Sequence, residues 1–519
     1  MPTYLTPGVY VEEKPSGSMP LGSVGTAVAA FVGFTERFPQ DDLDDPQGLK
    51  PRMVTNWSQY TQLYGGFVDG AMLPHAVYGY FNNGGGICYI VRIPHTLDER
   101  PAGQLALPAP GVASAGAAAA PVLQITSKVD EPLFVQVEPG AVDPETGDPK
   151  SFTLRVKRGT EQLESFDDLT LGKGKTNVAT QVQSSTYIQV EVLDDTATLP
   201  AIGRYEIKPG IPEALEVAAA DFEGDETERR GIRGLAIAEE VTMIAIPDLV
   251  TACTRDGQLD LGKFKAVQTA LINHCDQQAN RMAILDAPPG MGPQQIKEWR
   301  SDTAMYDSMF AAMYYPWIRV NNPIGTNGNS VITVPPCGHM AGIWSRNDET
   351  RGVWKAPANE IVGGALDVER KLTKLEQGLL NPIGINCIRP FGTRGIRVWG
   401  ARTLSSDPSW KYVNVRRLFN MIETSIMEGT QWVVFEPNDK ALWERVKRTV
   451  NAFLTGLWRD GALFGSSPSE AFFVKCDEET NPPESIDLGR LVIEVGIAPV
   501  KPAEFVIFRI SQWQPGEDA

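Results

Sequence analysis

Hydrophobic and polar residues follow strand and helix periods most clearly between residues 385 and 463. Ile396–Ala401 is rich in β-branched and aromatic residues and predicts a strand, and the short apolar run Trp432–Phe435 predicts another. Between them, apolar residues spaced three and four apart over residues 415–426 predict a helix, with Gly429 at its C-terminal end. The order strand–helix–strand–helix indicates an α/β layer, in which helices pack on a sheet.

A second helix is predicted over residues 438–459, where Asn438 can cap the first turn through its side-chain oxygen. One face of this helix is apolar and carries Leu442, Val446, Val450, Phe453 and Leu457. The opposite face is polar and carries Lys440, Glu444, Lys447, Arg448, Asn451 and Thr455. The apolar face is therefore expected to pack on a core, and the polar face to meet solvent or a partner.

Strand and helix patterns also alternate in the rest of the chain. In its middle, short apolar runs predict strands over residues 241–248, 281–289 and 309–320, with helices over 264–275 and 293–300. This order predicts parallel strands joined by right-handed crossovers. Nearer the N-terminus, the same patterns predict strands over residues 26–34 and 87–93 and helices over 57–64 and 73–81.

Residues 94–120 predict a linker, because Pro, Ala and Gly dominate there and no amphipathic period is present. Residues 122–207 contain short alternating runs separated by turn residues, which predict a small β domain inserted on the outer surface. The predicted fold class is therefore α/β and α+β, with several domains. The predicted segments are an N-terminal strand arm (1–22), an N-terminal core segment (23–95), the inserted β domain (96–210), a middle α/β domain (211–384), a C-terminal strand–helix domain (385–498) and a C-terminal strand arm (499–519).

Both ends of the chain contain strand-forming residues. Val9–Glu13 has no nearby partner strand, so it is either a frayed terminus or an arm that adds a strand to another subunit. Its apolar content favours the arm. Glu504–Ile510 is apolar on both faces of a strand, which predicts a place inside a sheet. It either completes its own domain or, if it lies at an edge, pairs with another chain.

The composition narrows the possible functions. The 519 residues are 42% hydrophobic and 21% charged, which allows about three or four domains with large cores. The net charge of −17 argues against general binding to nucleic acid or to an anionic membrane, and no apolar run is long enough to span a bilayer. The N-terminal residues lack the basic and apolar regions of a signal peptide.

Candidate catalytic and metal-binding chemistry is sparse. The six cysteines lie far apart and the four histidines lack paired ligand spacing, so we expect reduced thiols and no metal site. Asp248 and Asp286 end predicted strands, and with His274 between them they could serve acid–base chemistry. The favoured alternative is that both aspartates cap the following helices, because GxSxG, HExxH and a complete P-loop are absent. No catalytic residue and no cofactor are predicted.

Residues 335–359 combine glycine, proline, tryptophan and charge. Such a composition is typical of protein–protein contact surfaces, in which Trp and Arg are enriched. A packed loop between domains is the alternative. The candidates for this inter-subunit or inter-domain loop are Trp344, Arg346, Arg351 and Trp354.

Several long motifs follow one another along the chain. They are TPGVYVEE near the N-terminus, PPCGHMAGIWSRNDETRGVWKAPAN over residues 335–359, and RVWGARTLSSDP, WKYVNVRRLFNMIE and GTQWVVFEPND after residue 395. Together they resemble contractile tail sheath proteins, which form the outer sheath of phage tails and of phage-tail-like injection particles. The resemblance covers roughly the chain outside 96–235 and is specific, because several long motifs occur in order.

The resemblance implies assembly by strand exchange. In that family, terminal arms from neighbouring subunits complete a sheet in the C-terminal domain and link stacked hexameric rings. The residues expected in these arms are Val9, Tyr10, Val11, Phe505, Val506, Ile507 and Phe508. Pro15–Gly25 and Pro499–Pro502 would act as hinges, so that strand pairing persists while the subunit bodies rotate.

The resemblance also implies an inner tube inside the sheath. The candidates for tube contact are basic residues of the predicted 438–459 helix, namely Lys440, Lys447, Arg448 and Arg459. Positive charge gathered on an acidic chain suits an acidic partner, although a solvated helix face is the alternative. The expected partners are further copies of the chain, the inner tube protein, baseplate proteins and terminator or cap proteins, without direct nucleic-acid binding or membrane insertion.

The implied function is that of a structural subunit without enzymatic activity. It would polymerise into a helical sheath and contract to drive the tube through a target cell envelope, as part of a phage tail or phage-tail-like particle assembled in the cytoplasm. One alternative is a hydrolase-like α/β enzyme that uses Asp248, His274 and Asp286. A second is a static shell or surface-layer protein, which shares strand exchange and never contracts.

Overall fold

The computed structural model describes residues 21–39, 44–94, 103–108, 121–129, 132–142, 149–159, 161–194, 199–207, 217–255, 257–324 and 330–509. Contacts divide the chain into two compact units. One combines Met1–Pro94 with Val217–Ala519, and the other is His95–Glu216.

The larger unit begins with three strands and two helices. They are β1 (Val28–Gly33), β2 (Arg52–Val54), α1 (Trp57–Tyr64), α2 (Leu73–Asn82) and β3 (Ile87–Arg92). Asn56 caps α1 by accepting a hydrogen bond from the backbone N–H of Gln59. β1 and β3 pair in parallel. Both strands and both helices predicted for this region are confirmed.

The smaller unit is built from short antiparallel strands. Its elements are β4 (Gln104–Pro108), β5 (Pro121–Ser127), β6 (Leu133–Pro139), β7 (Phe152–Arg158), β8 (Glu161–Leu169), α3 (Val178–Gln181), β9 (Ile188–Val192) and β10 (Gly203–Ile207). They form sheets of order β10-β6-β7-β8 and β4-β5-β9 around one core. The short strands predicted after residue 122 are confirmed. The linker predicted over 94–120 is wrong at β4, because Leu107 is buried and pairs with Leu123.

After residue 217 the larger unit continues with alternating strands and helices. Its elements up to residue 398 are α4 (Ala219–Glu223), β11 (Met243–Ala245), α5 (Leu249–Cys253), β12 (Thr254–Arg255), β13 (Gln258–Leu259), α6 (Leu261–Gln278), β14 (Met282–Asp286), α7 (Pro293–Glu298), β15 (Ala311–Tyr315), β16 (Ile318–Asn321), β17 (Val331–Val334), α8 (Cys337–Arg351), β18 (Ala365–Val368), α9 (Lys374–Leu380), β19 (Ile385–Pro390) and β20 (Ile396–Val398).

An eight-stranded sheet of order β2-β3-β1-β11-β14-β15-β19-β20 forms the centre of this unit. Its six inner strands run parallel, and β2 and β20 pair antiparallel at the edges. β14 and β15 are buried along their whole length, as expected of central parallel strands with both faces covered. The predicted parallel arrangement is confirmed. The single strand predicted over 309–320 is instead two, since Pro316 separates β15 from β16.

The last third of the larger unit has a core of its own. Its elements are α10 (Val413–Gly429), α11 (Lys440–Arg459), α12 (Pro468–Ala471), β21 (Phe472–Lys475), α13 (Pro483–Asp487) and β22 (Glu494–Ile497). The buried faces of α10 and α11 meet in this core through Leu418, Ile422, Val446 and Val450. Asp439 caps α11, whereas the predicted cap Asn438 accepts a hydrogen bond from the Trp443 indole.

Two segments with strand composition, as far as their residues are described, lie outside the sheets of this region. Residues 431–433 form a 3-10 turn, and Phe435 is fully exposed with a φ of +68°, so the strand predicted over Trp432–Phe435 is wrong. The α/β layer predicted for 385–463 therefore lacks its second strand. Glu504 and the described residues after it also lie outside any sheet, so the alternative in which Glu504–Ile510 completes its own domain is wrong, and pairing of this segment with another chain stays a prediction. In both segments the apolar side chains find no partner strand among the residues that the structure describes.

Candidate assembly site

The sheet formed by β21 and β22 offers two edges for pairing. Phe472 pairs with Ile497 and Lys475 with Glu494 in antiparallel register. Phe472 is buried in the core beside α11, while Phe473 is 58% exposed. Within the described part of the chain, neither strand has a partner on its outer edge. A two-stranded sheet is marginally stable alone, and open edges invite further strands.

The C-terminal segment exposes a run of apolar side chains. Phe505, Val506, Ile507 and Phe508 are 70–84% exposed. No hydrogen bond between described residues involves positions 505–509. Four consecutive exposed apolar residues are unusual on a soluble protein surface and mark an interaction segment.

The chain leading to this segment is held firmly. Pro499 bridges to Leu463, and the backbone oxygen of Val500 accepts a hydrogen bond from Asn414 at 3.2 Å. Arg402 then makes a bidentate ion pair with Glu504, in which Nε lies 2.8 Å from Oε1 and Nη2 lies 2.7 Å from Oε2. The last anchored residue is therefore Glu504, beyond the hinge predicted at Pro499–Pro502.

A second arginine pair fixes the chain that follows the N-terminal arm. Arg417 on α10 donates to both carboxylate oxygens of Asp348 on α8, at 2.8 and 2.6 Å, and to the backbone oxygen of Thr26 at 2.8 Å. The Thr26 hydroxyl also donates to Asp348, at 2.6 Å. Just before Thr26, the Val24 N–H donates to the Ser425 hydroxyl. The expected arm residues Val9, Tyr10 and Val11 lie outside the described residues.

Sequence patterns alone did not identify these two pairs as important. Arg402 is 7% exposed and Arg417 4% exposed, although both are charged. Two signals were present, because Arg417 lies among the apolar residues of α10 and Glu504 directly precedes an apolar run. A charge inside an apolar pattern requires a buried partner, but the sequence does not say which residue that partner is.

The candidate loop residues lie mostly on a helix. Trp344, Arg346 and Arg351 belong to α8, and only Trp354 lies in the loop that follows. Trp344 is fully buried and donates its indole N–H to the Tyr314 hydroxyl at 2.9 Å. The predicted loop is therefore wrong over α8. Its glycines, such as Gly338 and Gly342, are not turn residues but the positions at which this helix packs closely against α2. Arg351 is exposed, and its role as a contact residue stays a prediction.

The basic residues of α11 line one exposed face. Lys440 pairs with Glu478 at 2.5 Å and Lys447 pairs with Glu444 at 2.5 Å. These carboxylates raise the pKa of both lysines, through hydrogen bonds first. Arg448 and Arg459 are exposed. The face is thus a mixture of charges in which the two arginines provide the most available positive groups, and its contact with a tube stays a prediction.

The three candidate catalytic residues are engaged in structural contacts. Asp248 is fully buried and accepts hydrogen bonds from the backbone N–H groups of Phe34 and Leu73. Asp286 accepts from the N–H of Cys337, which begins α8. The aspartates therefore do cap helices, but α2 and α8, which are distant in sequence, rather than the helices that follow them. His274 is buried 3.5 Å from the Arg281 guanidinium.

Burial dominates the titration of these groups. It raises the pKa of Asp248 and of Asp286 to about 7, against the backbone hydrogen bonds that lower it. Burial and the Arg281 charge lower the pKa of His274 to about 4. Among the residues that the structure describes, no group of three or more His, Cys, Asp or Glu is arranged to hold a metal ion. None of the described helices is long and apolar enough to cross a membrane.

Comparison with known families and proteins gives consistent matches. Residues 256–404 match the phage tail sheath protein central domain, and residues 405–512 match the phage tail sheath C-terminal domain. The tail sheath protein of Vibrio phage KVP40 is 30% identical over 177 residues, which cover 33% of this chain and 26% of that protein. A prophage major tail sheath protein of Pseudomonas aeruginosa is 25% identical over 341 residues, which cover 64% of this chain and 82% of that protein.

One solved structure matches nearly the whole chain. It is the helical sheath of the anti-feeding prophage in its contracted state, which is 26% identical. The alignment covers 98% of this chain and 100% of the sheath chain, with a TM-score of 0.60. The match therefore includes the residues outside the two family domains.

Proposed function

Because this chain belongs to the contractile tail sheath protein family, we propose that it polymerises into a helical sheath around an inner tube and contracts to drive that tube through a target cell envelope. Its partners are further copies of the chain in stacked hexameric rings, the inner tube protein, the baseplate, and terminator or cap proteins. The particle is a phage tail or a phage-tail-like injection device, assembled in the cytoplasm.

The observation that carries the proposal is that one chain has both an exposed apolar segment and a sheet with open edges. Residues 505–508 of one subunit would add a strand to the β21–β22 sheet of a neighbour. The residues around Val9–Val11 would add a strand from a different neighbour. Such contacts are heterologous, and heterologous contacts that do not close on themselves produce helical assemblies.

Burying this segment would contribute favourably to the free energy of assembly. Phe505 and Phe508, together with the two aliphatic residues between them, are at least 70% exposed in the single chain. Fully burying a side chain of this size contributes roughly 1.5–3 kcal/mol. Part of that gain is offset by the entropy lost when the arm is ordered. The remainder is multiplied along the lattice, because each subunit donates and receives arms.

We further propose that α11 contacts the inner tube. Its exposed face would place Arg448 and Arg459 against an acidic tube surface, with Lys440 and Lys447 contributing beside their own carboxylate partners. Contacts between exposed charges are weak and sensitive to salt. Weak contacts suit a sheath that must slide relative to the tube during contraction.

The direct test is negative-stain electron microscopy of the purified full chain beside a chain lacking residues 1–14. We expect long hollow tubes from the full chain and their loss on truncation, because one of the two exchanged strands is missing. Thermal unfolding of both proteins serves as the control that the truncated chain is folded. Monomers or dimers of the full chain at all salt concentrations would contradict the proposal.

The enzyme alternative has little support. Its three residues are buried and bonded to backbone or to Arg281. A group that hydrolyses a substrate has to reach it, and a fold alone does not imply catalysis. The static shell differs from the sheath only in lacking a second lattice state.

A further inference from the structure

The place where the C-terminal arm leaves the subunit body is unusually well fixed. The two oxygens of the Glu504 carboxylate accept four hydrogen bonds, from Arg402 Nε and Nη2, Asn381 Nδ2 and the Tyr412 hydroxyl, at 2.7–3.0 Å. The Lys411 Nζ lies 3.8 Å from the Glu504 Oε2. Paired hydrogen bonds between a guanidinium and a carboxylate fix geometry as well as adding energy.

We propose that Arg402 and Glu504 form a clamp that sets the direction in which residues 505–509 leave the body, and so position the arm for exchange with a neighbouring subunit. This inference rests on the proposed function. It places the pivot of the arm just after Glu504 and not in the Pro499–Pro502 segment, which is held by the bridge to Leu463 and by the hydrogen bond from the Asn414 side chain.

The clamp is itself attached to the rigid sheet. Asn386 on β19 is fully buried, and its side chain bonds both the N–H and the backbone oxygen of Arg402, at 2.7 and 2.8 Å. Arg402 also donates to the backbone oxygen of Asn381 at 2.9 Å. Force applied to the arm would therefore be transmitted through Glu504 and Arg402 to the eight-stranded sheet. A site held on such rigid elements is positioned more accurately than one on loops alone.

The Glu504 carboxylate of the clamp stays charged near neutral pH. Burial by itself would raise the pKa of Glu504, but hydrogen bonds from Arg402 and Asn381 outweigh it and lower that pKa. The Arg402 and Glu504 side chains are 9% and 19% exposed, so water screens the pair little. Neutralising Glu504 would leave the Arg402 charge nearly buried and unpaired, which favours release of the arm root.

Distances between two spin labels test the clamp in the full chain. Leu375 on α9 is 85% exposed and Val506 is 70% exposed, so Leu375→Cys with Val506→Cys provides two labelling sites while the six native cysteines stay buried. We expect a narrow distance distribution, whose width at least doubles with Glu504→Gln. Tyr412→Phe removes one of the four hydrogen bonds and should broaden it less.

The matched control is Glu423→Gln, because Glu423 also pairs with a buried arginine, Arg416, at 2.9 Å but belongs to α10. It should leave the label distribution unchanged. In the unlabelled chain, Glu504→Gln should raise the concentration for half-maximal assembly about tenfold, because each unanchored residue adds ordering entropy.

Each outcome separates the clamp from the proposed function. An unchanged width with Glu504→Gln, or equal broadening with Glu423→Gln, would overturn the clamp even if sheaths form. Failure of the parent chain to form tubes would contradict the proposed function. The widths of the distance distributions between the two spin labels would still show whether the clamp exists. If Glu504→Gln fails to fold, Tyr412→Phe decides: broadening supports the clamp and an unchanged width overturns it.

Discussion

Two buried arginine–carboxylate pairs connect the ends of the described chain to its body. Arg417 and Asp348 are each only 4% exposed, and they hold Thr26 at the start of the N-terminal strand of the sheet. Trp344 lies under the Arg417 guanidinium, 4.8 Å from it. A buried pair adds little net stability compared with apolar packing, but removing one member leaves an unpaired charge. The pair therefore determines specific placement more than total stability.

Asp348→Asn tests this placement. We expect the free energy of unfolding to fall by about 3–5 kcal/mol, because Arg417 then stays buried without its counter-charge. Denaturant titration measures this change. Glu478→Gln is the control, since its ion pair with Lys440 is exposed and its loss should change the stability little. Equal effects of the two substitutions would mean that burial of the pair is unimportant.

Asp286 gives a prediction for pH. Its pKa is about 7 in the folded chain, well above the ordinary value of 3.8 that it regains on unfolding. Between these values the folded state binds more protons than the unfolded state, so this group's contribution to stability is full below about pH 4 and is lost as the pH rises through 7.

Asp286→Asn should remove that dependence, because the amide oxygen can still accept from the Cys337 N–H. The stability difference between the parent chain and the variant should fall by about 1.4 kcal/mol per pH unit between pH 4 and 7. Measuring the difference cancels the opposite contribution of buried histidines such as His274. A difference that does not change with pH would contradict the raised pKa.

At the scale of elements, the C-terminal arm separates folding from assembly. As a strand, it would place Phe505 and Ile507 on one side and Val506 and Phe508 on the other. All four side chains are exposed in the single chain, so they contribute little to its own stability. Their contribution is expected only when a neighbour covers them.

Replacing Phe505 and Ile507 by serine should therefore leave the thermal unfolding of the monomer nearly unchanged, within about 0.5 kcal/mol. The yield of pelletable tubes should fall sharply, because each substitution removes roughly 1.5–3 kcal/mol of burial per subunit contact. Sedimentation and negative-stain imaging measure the yield. The pair Leu375→Ser and Leu366→Ser, at exposed apolar positions outside the arm, is the control and should assemble normally.

The α11 face supports a second prediction at this scale. Reversing charge with Arg448→Glu and Arg459→Glu should leave sheath self-assembly intact and reduce the amount of inner tube protein that co-sediments with the sheath. Both side chains are exposed, so folding should be unaffected. Co-sedimentation over a range of salt concentrations is the measurement, and the parent chain should show the steeper salt dependence. If these substitutions leave binding of the tube protein unchanged, the α11 face contacts solvent and not the tube.

At the scale of the whole molecule, contraction requires one chain to form two lattices. In the proposed sheath, exchanged strands would keep neighbours connected while their bodies move. Under the proposed function, the extended lattice would be the less stable one, and contacts with the tube and baseplate would shift the balance towards it. A static shell has no need of this second state.

Helical reconstruction distinguishes these cases. Sheaths assembled with the tube and baseplate proteins should have a longer axial repeat than sheaths assembled from this chain alone. The control is the complete particle after a contraction trigger, which should adopt the shorter repeat. One identical repeat in all three samples would favour the static shell.

The sequence by itself determined the elements whose signal is local. β1, β3, β14 and β15 are continuous apolar runs, α10 and α11 have regular apolar stripes, and the absence of catalytic motifs can be read from the chain directly. These features depend on side-chain period and on residue type, which a sequence states completely. The long motifs that point to the sheath family belong to the same level.

Only the tertiary structure decided where apolar segments without a partner strand would lie. The run at residues 432–435 has the composition of a strand, but neighbouring turn contacts override it and leave Phe435 exposed. The segment after Glu504 has the composition of a buried strand, yet the described part of the single chain provides no sheet position for it. Strand composition states that pairing is favourable, whereas the partner is a property of the fold or of a neighbouring subunit.

The partners of the two buried arginines were likewise decided by the fold and not by local sequence. Arg402 meets Glu504, 102 residues away, and Arg417 meets Asp348, 69 residues away. A sequence shows charged residues beside apolar ones, but long-range pairing follows from how the elements pack. Residue type thus set which groups needed a buried partner, and the packing of α8, α10 and β19 decided which partners they have.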